Sequence, residues 1–318
     1  MTGEEKLNDV FADVAPFYVQ DLQTVCPYCK HTTLVSTHDT FVFHWMVPTP
    51  LEGNFISPRE IRHFENQLNS SSNCDTVIIH AGVHSLSTNR FTSLKKKYKI
   101  GQPLKALSLD LDAILTKYRR LYTNNLYDNI HDKVYPLPLG IVRKEIDDFK
   151  YLRKNNKEHF CYANFSITHN YRGNIIRWTN TQKYINCHFS KRFPDWDQQL
   201  DEKVFADAPL PFDEFLSTLA SHKFCIVPNG VGIDTDRLWE CIFMNVVPIV
   251  QNNYGNRIFS KIWPMILVDI YEFSDIPRLA AEFEKQHGTN IQYNHDLLLR
   301  KNLPELMDRI EHECRVKA

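Results

Sequence analysis

Residues 159–270 alternate short runs rich in β-branched and aromatic residues with segments of helical periodicity, and no other feature of the sequence limits the fold as much. The predicted strands span 159–165, 184–189, 224–228, 246–250 and 265–270. The helices predicted between them span 171–182, 211–222, 234–245 and 256–263. Repetition of strand and helix predicts a parallel sheet covered by helices on both faces.

The first half of the chain repeats this pattern less clearly. Its predicted strands span 41–47, 76–82, 106–111 and 134–141, and its predicted helices span 57–68 and 111–122. A charged segment, 143–159, separates the two halves. We therefore predict an α/β fold with an N-terminal domain at 1–150, a second domain at 151–290 and a helical tail at 291–318. Two parallel-sheet domains joined in this way form a cleft, and ligands of such sheets lie outside the carboxyl ends of the strands.

Charge and hydropathy exclude several classes of partner. Lysine and arginine together number 37 against 38 acidic residues, so no overall field attracts nucleic acid or an anionic membrane. The first twenty residues carry acids where a signal peptide has a basic region. The longest mainly apolar run, 41–47, is far shorter than the roughly 20 residues that a membrane span needs. We expect a cytoplasmic protein with no nucleic-acid partner and no membrane span.

The cysteines favour a reducing compartment over a metal centre. Cys26 and Cys29 form one C-x-x-C pair, and His31 follows closely, so a partial zinc site is the alternative interpretation. A structural zinc site usually needs a second close pair, which the sequence lacks, and no metal is predicted. Four further cysteines lie in apolar stretches and are expected to pack as small core residues: Cys161, Cys187, Cys225 and Cys241.

The segment IVPNGVGIDTDRLWECIFMNVVPIV, residues 226–250, contains the main candidate site. A predicted strand is followed by the loop NGVGID and then by a helix. Gly230 and Gly232 permit positive φ angles and the close approach of a ligand. Asp234 is a natural N-cap for the helix. The first amides of the helix then face the strand ends, where a phosphate group is favourable.

Arg237 and Glu240 lie three residues apart, along one side of this helix. An arginine can grip a phosphate in a fork geometry, and a carboxylate can accept from two ribose hydroxyls. A surface ion pair on an ordinary helix is the alternative. The side predicted to face the sheet carries Leu238, Cys241, Ile242 and Asn245.

Pro248 lies inside the last apolar run of this segment. Proline is rarely tolerated in a central strand. We therefore expect either a bulge at this position or a chain that leaves the sheet early.

The motif P-x-G-x-G-x-D-x-x-R-x-x-E, present at 228–240 and followed by VVPIV at 246–250, resembles the donor segment of exostosin-like glycosyltransferases of the family 47 type. Two weaker matches accompany it. Residues 160–178 resemble the strand-then-arginine segment of that family, and residues 122–141 resemble its asparagine-containing stretch that ends in P-[IL]-G. Together the matches cover about a quarter of the chain.

The resemblance implies a GT-B fold, with two Rossmann-like domains facing across a cleft. It also implies a nucleotide-sugar donor, UDP-linked before GDP-linked, transfer with inversion to a hydroxyl of a glycan or glycoprotein acceptor, and no metal or other cofactor. Xylose, a hexose and a uronic acid all remain open as the transferred sugar. The donor-binding residues that it implies are Arg172, Arg177, Asn229, Gly230, Gly232, Asp234, Arg237 and Glu240.

The chain departs from this family at three positions. Val231 and Asp236 stand where relatives often have asparagine and histidine, and Val83 stands where an aspartate is frequent. An inverting transferase needs a base for the acceptor hydroxyl. The candidates for this base are His84, His80 and Asp39. Because of Val83, a non-catalytic glycan- or nucleotide-binding module is the alternative function; a different enzyme on a doubly wound fold is a third.

Overall fold

The computed structural model describes most of the chain after residue 119 and five short strands before it. The described residues are 119–141, 144–167, 170–191, 200–206, 208–230, 232–298 and 302–316, together with 32–37, 40–45, 76–80, 85–86, 106–107, 112 and 115–116. The predicted helix at 57–68 and the C-x-x-C pair lie outside the described residues.

A five-stranded sheet is formed by the first half of the chain. Its strands, in spatial order, are β1 (Thr32–Thr37), β2 (Thr40–Trp45), β3 (Thr76–His80), β6 (Arg120–Thr123) and β7 (Val134–Pro136). The β1–β2 pair is antiparallel, and the other neighbouring pairs are parallel. A separate parallel pair joins β4 (Ser85–Leu86) and β5 (Ala106–Leu107).

The second half forms a five-stranded sheet in which every neighbouring pair is parallel. Its strands in chain order are β8 (His159–Ala163), β9 (Ile185–Cys187), β12 (His222–Val227), β13 (Val247–Gln251) and β14 (Ile266–Val268). The spatial order is β9–β8–β12–β13–β14, which is the doubly wound 2-1-3-4-5 arrangement. The predicted α/β class is confirmed, with a mostly parallel sheet in each half, which is the sheet content of the GT-B type.

Six α-helices have both bounds within the described residues. They are α1 (Asn170–Thr179), α2 (Phe212–Ala220), α3 (Asp236–Phe243), α4 (Tyr254–Ile262), α5 (Ile276–His287) and α6 (Leu303–Arg315). Shorter 3-10 helices span Lys144–Leu152, Glu202–Val204, Tyr271–Phe273 and His295–Leu298, and β10 (Phe189–Ser190) pairs with β11 (Phe205–Ala206). None of the helices in these segments is long and apolar enough to span a membrane.

Two hydrophobic clusters cover opposite faces of the second sheet. Along β12, Cys225 and Val227 belong to the cluster that includes α2, α3, α4 and α6, whereas Phe224 and Ile226 belong to the cluster that includes α1 and α5. This alternation follows from the two-residue period of a strand. The sheet is therefore buried on both faces, as the near-continuous apolar strands predict.

Two sequence predictions are corrected by the structure, and one helix was not predicted. Within the helix predicted at 111–122, the described residues Asp112, Leu115 and Thr116 are helical, but Arg120–Thr123 forms strand β6. Helix α5 was not predicted, although Asp275 caps it by accepting from the amide of Arg278 and Pro277 lies in its first turn. The alternatives for Pro248, a bulge or an early exit, are both wrong. The register with β12 runs without interruption from Val247 to Val250, and pairing with β14 begins only at Ile249.

The C-terminal helix α6 packs against the first sheet as well as the second half of the chain. Glu311 of α6 lies 3.3 Å from Nη1 of Arg120, and the Tyr122 hydroxyl is 3.4 Å from the same carboxylate. Backbone amides of Tyr254 and Gly255 in α4 donate to carbonyls of the segment between β6 and β7. These contacts fix β6 and the segment that follows it against α4 and α6.

Candidate functional site

The candidate site lies at the point where the order of the second sheet reverses, between β8 and β12. Asn164 follows β8 directly, and Pro228 and Asn229 follow β12. Because β8 and β12 are parallel neighbours, these residues meet at one edge of the sheet. Ligands of open α/β sheets bind at this kind of reversal, outside the carboxyl ends of the strands.

Arg172 holds the two strand-end loops together. Its Nε donates to the carbonyl of Asn229 at 2.8 Å, and Nη1 and Nη2 donate to the carbonyls of Ser166 and Pro228, both at 2.9 Å. The residue is 8% exposed, and burial lowers the pKa of its guanidinium to about 10, so it stays charged at neutral pH. The structure therefore places Arg172 in the wall of the site, although the sequence predicted it as a donor ligand.

The two glycines of the loop are needed for close packing and not for their backbone conformation. Neither has a positive φ, contrary to expectation. A Cβ on Gly230 would lie 3.2 Å from Nη2 of Arg172, and a Cβ on Gly232 would lie 2.7 Å from Oδ1 of Asn125. The space that the sequence assigned to a ligand is taken by side chains of this chain.

Asp234 is buried between the two halves of the molecule and is not the N-cap of α3. The N-cap residue is Thr235, whose side chain makes no capping hydrogen bond. Asp234 accepts from the indole of Trp239 at 2.8 Å and from the amide of Leu139 at 2.5 Å. Burial raises the pKa of this carboxyl to about 7.

The side chain of Arg237 lies across the gap between the strand ends. Its Nη2 donates to Oδ1 of Asn164 at 3.2 Å, and its Nη1 is 3.2 Å from Oε2 of Glu240. The guanidinium stacks on the ring of Phe215, with Cζ 3.7 Å from the centroid. The side chain of Arg237 is 20% exposed and that of Glu240 is 9% exposed, so the pair is partly open to solvent at the arginine end.

Polar atoms without a hydrogen-bond partner are concentrated at this edge of the sheet. In the described part of the chain they include Nε of Arg237, Oγ1 of Thr235 and Oε2 of Glu272. Such atoms are costly when buried, and native proteins rarely leave them unpaired. A ligand with both anionic oxygens and hydroxyl groups would supply the missing partners.

The opposite end of α3 is fixed by three side chains from two other segments, the loop before β8 and the 3-10 helix His295–Leu298. Arg153 Nε donates to the carbonyl of Phe243 at 2.7 Å, and Lys157 Nζ donates to that of Met244 at 3.1 Å. A ring nitrogen of His295 lies 3.1 Å from the carbonyl of Ile242. These groups satisfy carbonyls that a helix end leaves free. The amino end of α3 is thereby held at the strand edge.

The structure does not bring every predicted site residue together. Arg177 lies in the last turn of α1, is exposed and donates to Oδ1 of Asn174 at 2.7 Å. His80 is the last residue of β3, in register with His44 of β2. His84 and Asp39, the other candidates for the catalytic base, lie outside the described residues.

Three residues at or beside the site were missed from the sequence. Asn164 could have been found, since it lies at the carboxyl end of the strand predicted at 159–165. Asn125, which has a φ of 57° and accepts from the amide of Asp234 at 2.8 Å, lies 109 residues before it in the chain. Glu272 follows β14 in a short 3-10 helix that the periodicity did not reveal.

Comparison with known proteins gives structural neighbours only. No family model matches the chain, and no curated protein matches it in sequence. An α,α-trehalose-phosphate synthase (UDP-forming) from Burkholderia vietnamiensis aligns over 83% of this chain and 66% of its own, a little under two thirds, at 11% identity with a TM-score of 0.35.

Two further structural neighbours have similarly low sequence identities and TM-scores. An E. coli structure described as trehalose-6-phosphate bound with UDP-2-fluoro glucose aligns over 81% of this chain and 69% of its own, at 9% identity with a TM-score of 0.38. Spinosyn rhamnosyltransferase SpnG complexed with thymidine diphosphate aligns over 81% and 75%, at 8% identity with a TM-score of 0.31. Scores of this size support no argument about function.

Proposed function

We propose that the chain is a glycosyltransferase of the GT-B type that binds a nucleoside diphosphate sugar at the reversal between β8 and β12. The observation that carries the proposal is the state of Arg237. Its guanidinium is stacked on Phe215 and its Nη1 lies 3.2 Å from Oε2 of Glu240, yet Nε has no hydrogen-bond acceptor. A diphosphate oxygen supplies such an acceptor, in the fork geometry that arginine prefers.

Arg237 would favour the transition state over the ground state. Negative charge grows on the diphosphate as the sugar leaves, so a cation that is already oriented becomes more favourable during the reaction. Phe215 and Asn164 hold the guanidinium before the donor binds. One contact of this kind contributes about 3 kcal/mol to catalysis, judged by the cost of removing a preorganised donor.

Glu240 would take the ribose of the donor. Its carboxylate already neutralises part of the charge on Arg237, and its second role would be to accept hydrogen bonds from the two ribose hydroxyls. Thr235, at the first turn of α3, has a buried hydroxyl oxygen without a partner and would bind a phosphate or hydroxyl group.

The finer features of the proposal come from the resemblance of residues 228–250 to exostosin-like transferases. They are a UDP-linked donor, xylose among the possible sugars, a glycan or glycoprotein hydroxyl as acceptor, inversion, and no requirement for metal. His84, His80 and Asp39 are the proposed candidates for the base that deprotonates the acceptor.

Thermal unfolding with UDP tests the site. UDP is expected to raise the melting temperature of the wild-type protein with or without EDTA, because it binds the folded state only. Arg237→Ala should remove this shift, and Arg237→Lys should restore only part of it, since lysine keeps the charge without the fork. Arg278→Ala is the control, because Arg278 also pairs with a glutamate on its own helix, Glu282, but lies exposed on α5. An undiminished UDP shift in Arg237→Ala would show that the diphosphate binds elsewhere.

A screen of sugar nucleotides for slow hydrolysis tests the activity. We expect release of UDP from at least one UDP-sugar, and loss of that release in Arg237→Ala. Binding of UDP-sugars with no hydrolysis and no transfer would instead favour the non-catalytic module suggested by Val83.

A further inference from the structure

Glu272 lies on the sheet edge that carries the candidate site, outside the motif at 228–240. It is the middle residue of the 3-10 helix Tyr271–Phe273, which follows β14 after Asp269 and Ile270. Tyr271 anchors this helix, since its hydroxyl lies 2.8 Å from the carbonyl of Val227 and 3.2 Å from that of Ile249. Glu272 is therefore attached to the same edge as the loop that follows β12.

The 3-10 helix that carries Glu272 packs against α1. Burial raises the pKa of the Tyr171 phenol in the first turn of α1, and the negative charge of Glu272 raises that pKa further, as expected for a carboxylate near this helix. Tyr171 adjoins Arg172, which donates to the carbonyls of Pro228 and Asn229. A short series of contacts thus links Glu272 to the strand reversal.

The carboxylate of Glu272 lacks the partner that a buried oxygen needs. Its Oε2 is buried without a hydrogen-bond donor, and Glu272 forms no ion pair with any residue in the described part of the chain. A carboxylate only accepts hydrogen bonds, so the missing partner must be a donor. The next residue, Phe273, is 86% exposed and offers an aromatic face. A carboxylate beside an exposed aromatic ring suits a sugar, which has hydroxyls at its edge and apolar C–H groups on its faces.

The phosphates of a donor cannot be the group that Glu272 binds, because two anions repel each other in a partly buried site. We propose that Glu272 accepts hydrogen bonds from hydroxyls of the transferred sugar, and that it selects neutral sugars over uronic acids. This inference rests on the proposed function. It assigns the diphosphate to Arg237 and the sugar ring to Glu272, on the same edge of the sheet.

Calorimetric titration of the full chain with UDP, UDP-glucose, UDP-xylose and UDP-glucuronic acid tests the assignment. Glu272→Gln removes the charge and keeps the shape. It should weaken the tighter-binding neutral UDP-sugar about tenfold, the effect expected for one hydrogen bond to a charged group, and change UDP binding by less than about twofold. The same variant should bind UDP-glucuronic acid relatively better than the wild-type protein does, because a repulsive charge has been removed. A role in folding alone would not change this ratio.

Glu214→Gln is the matched control, because Glu214 is an exposed carboxylate in the first turn of α2. It should leave all four affinities unchanged. The proposal is overturned if Glu272→Gln weakens UDP and the UDP-sugars equally, if it leaves the glucuronate ratio as in the wild-type protein, or if the wild-type protein gains no affinity from any sugar. Failure of UDP to bind at all would refute the proposed function, and with it this inference.

Discussion

The carboxylate of Asp234 accepts a hydrogen bond from the indole Nε1 of Trp239 at 2.8 Å, within the first turn and a half of helix α3. The other carboxylate oxygen accepts from the amide of Leu139, which lies after β7 of the first sheet. Trp239 is fully buried and packs against Trp263 with ring centroids 5.4 Å apart. One aspartate thus fixes α3 to both its own core and the first half of the chain.

Asp234→Asn should destabilise the protein by about 1 kcal/mol at about pH 5, the usual contribution of one hydrogen bond between neutral groups. An amide has one oxygen, so it can accept from either Leu139 or Trp239, and its NH2 group then faces the other donor. Urea unfolding at about pH 5, where the buried carboxyl of the folded protein is protonated, measures the loss. A change below a few tenths of a kcal/mol would show that the hydrogen bonds of this carboxylate do not stabilise the fold.

The same substitution should change how stability depends on pH. Burial raises the pKa of Asp234 from 3.8 to about 7, so between those values the folded protein binds a proton that the unfolded chain releases. The contribution of this group is therefore complete below about pH 4 and is lost as the pH rises to about 7. Asp234→Asn should remove that part of the profile. Identical slopes for wild type and variant between these values would contradict the shift.

Gly232→Ala should destabilise the protein by about 1–3 kcal/mol, the range for overpacking, and should reduce the UDP-induced rise in melting temperature. The added Cβ would lie 2.7 Å from Oδ1 and 3.0 Å from Nδ2 of Asn125, whose oxygen holds the amide of Asp234. Gly173→Ala is the control. Nothing lies within 4 Å of a Cβ there, and the position is inside α1, so a gain of about 0.5–1 kcal/mol is expected. Equal effects of the two substitutions would exclude the close contact as the cause.

The strand–helix alternation in the second half was predictable because each element has its own periodicity. The strands β8, β12, β13 and β14 all lie within predicted runs or overlap them. β6 was not predictable in this way, because Arg120–Thr123 is short and adjoins a segment of helical character. This segment is a strand because it pairs in parallel with β3 and β7. β3 lies far before it in the sequence and β7 follows it after a loop, so a local pattern does not reveal the pairing.

The sequence predicts a site in the loop after β12 from the resemblance of residues 228–250 to a family motif, and this remains a prediction. The contacts that the residues of this loop make within the protein could not be predicted. Whether Arg172 or Asp234 faces a ligand or the protein depends on Ser166, Leu139 and Asn125, and a local pattern contains no information about such contacts. In the structure, both of these residues form hydrogen bonds within the protein.

His222 should make the protein less stable in acid. It is buried at the start of β12, and its ring nitrogens lie 2.7 Å from the carbonyl of Thr218 and 2.9 Å from Nδ2 of Asn186. Burial lowers the pKa of its imidazole to about 4. The neutral ring donates to Thr218 and accepts from Asn186, and a second proton would break the contact with Asn186.

A folded pKa below the unfolded value means that stability is present above about pH 6.5 and is lost as the pH falls towards about 4. The wild-type protein should therefore lose more stability than His222→Gln between about pH 7 and pH 4.5, measured by urea unfolding. His287→Gln, at an exposed position at the end of α5, is the control and should follow the wild-type protein. If His222→Gln loses as much stability as the wild type, His222 is not the group that titrates.

Substitutions at Arg172 and Arg177 test whether each arginine binds the donor, as the sequence predicts, or mainly contacts the protein itself, as in the structure. Arg172→Met would leave the carbonyls of Ser166, Pro228 and Asn229 without their donor, and a loss on the order of 3 kcal/mol is expected. Arg172→Lys has one ammonium group and cannot reach all three, so it should recover only part of the loss. Arg177→Met, on the exposed end of the same helix, should change neither the stability nor the UDP-induced shift in melting temperature. Loss of UDP binding in Arg177→Met would indicate that Arg177 binds the donor. Retention of UDP binding and wild-type stability in Arg172→Lys would show that the three hydrogen bonds of Arg172 are not needed to form the site.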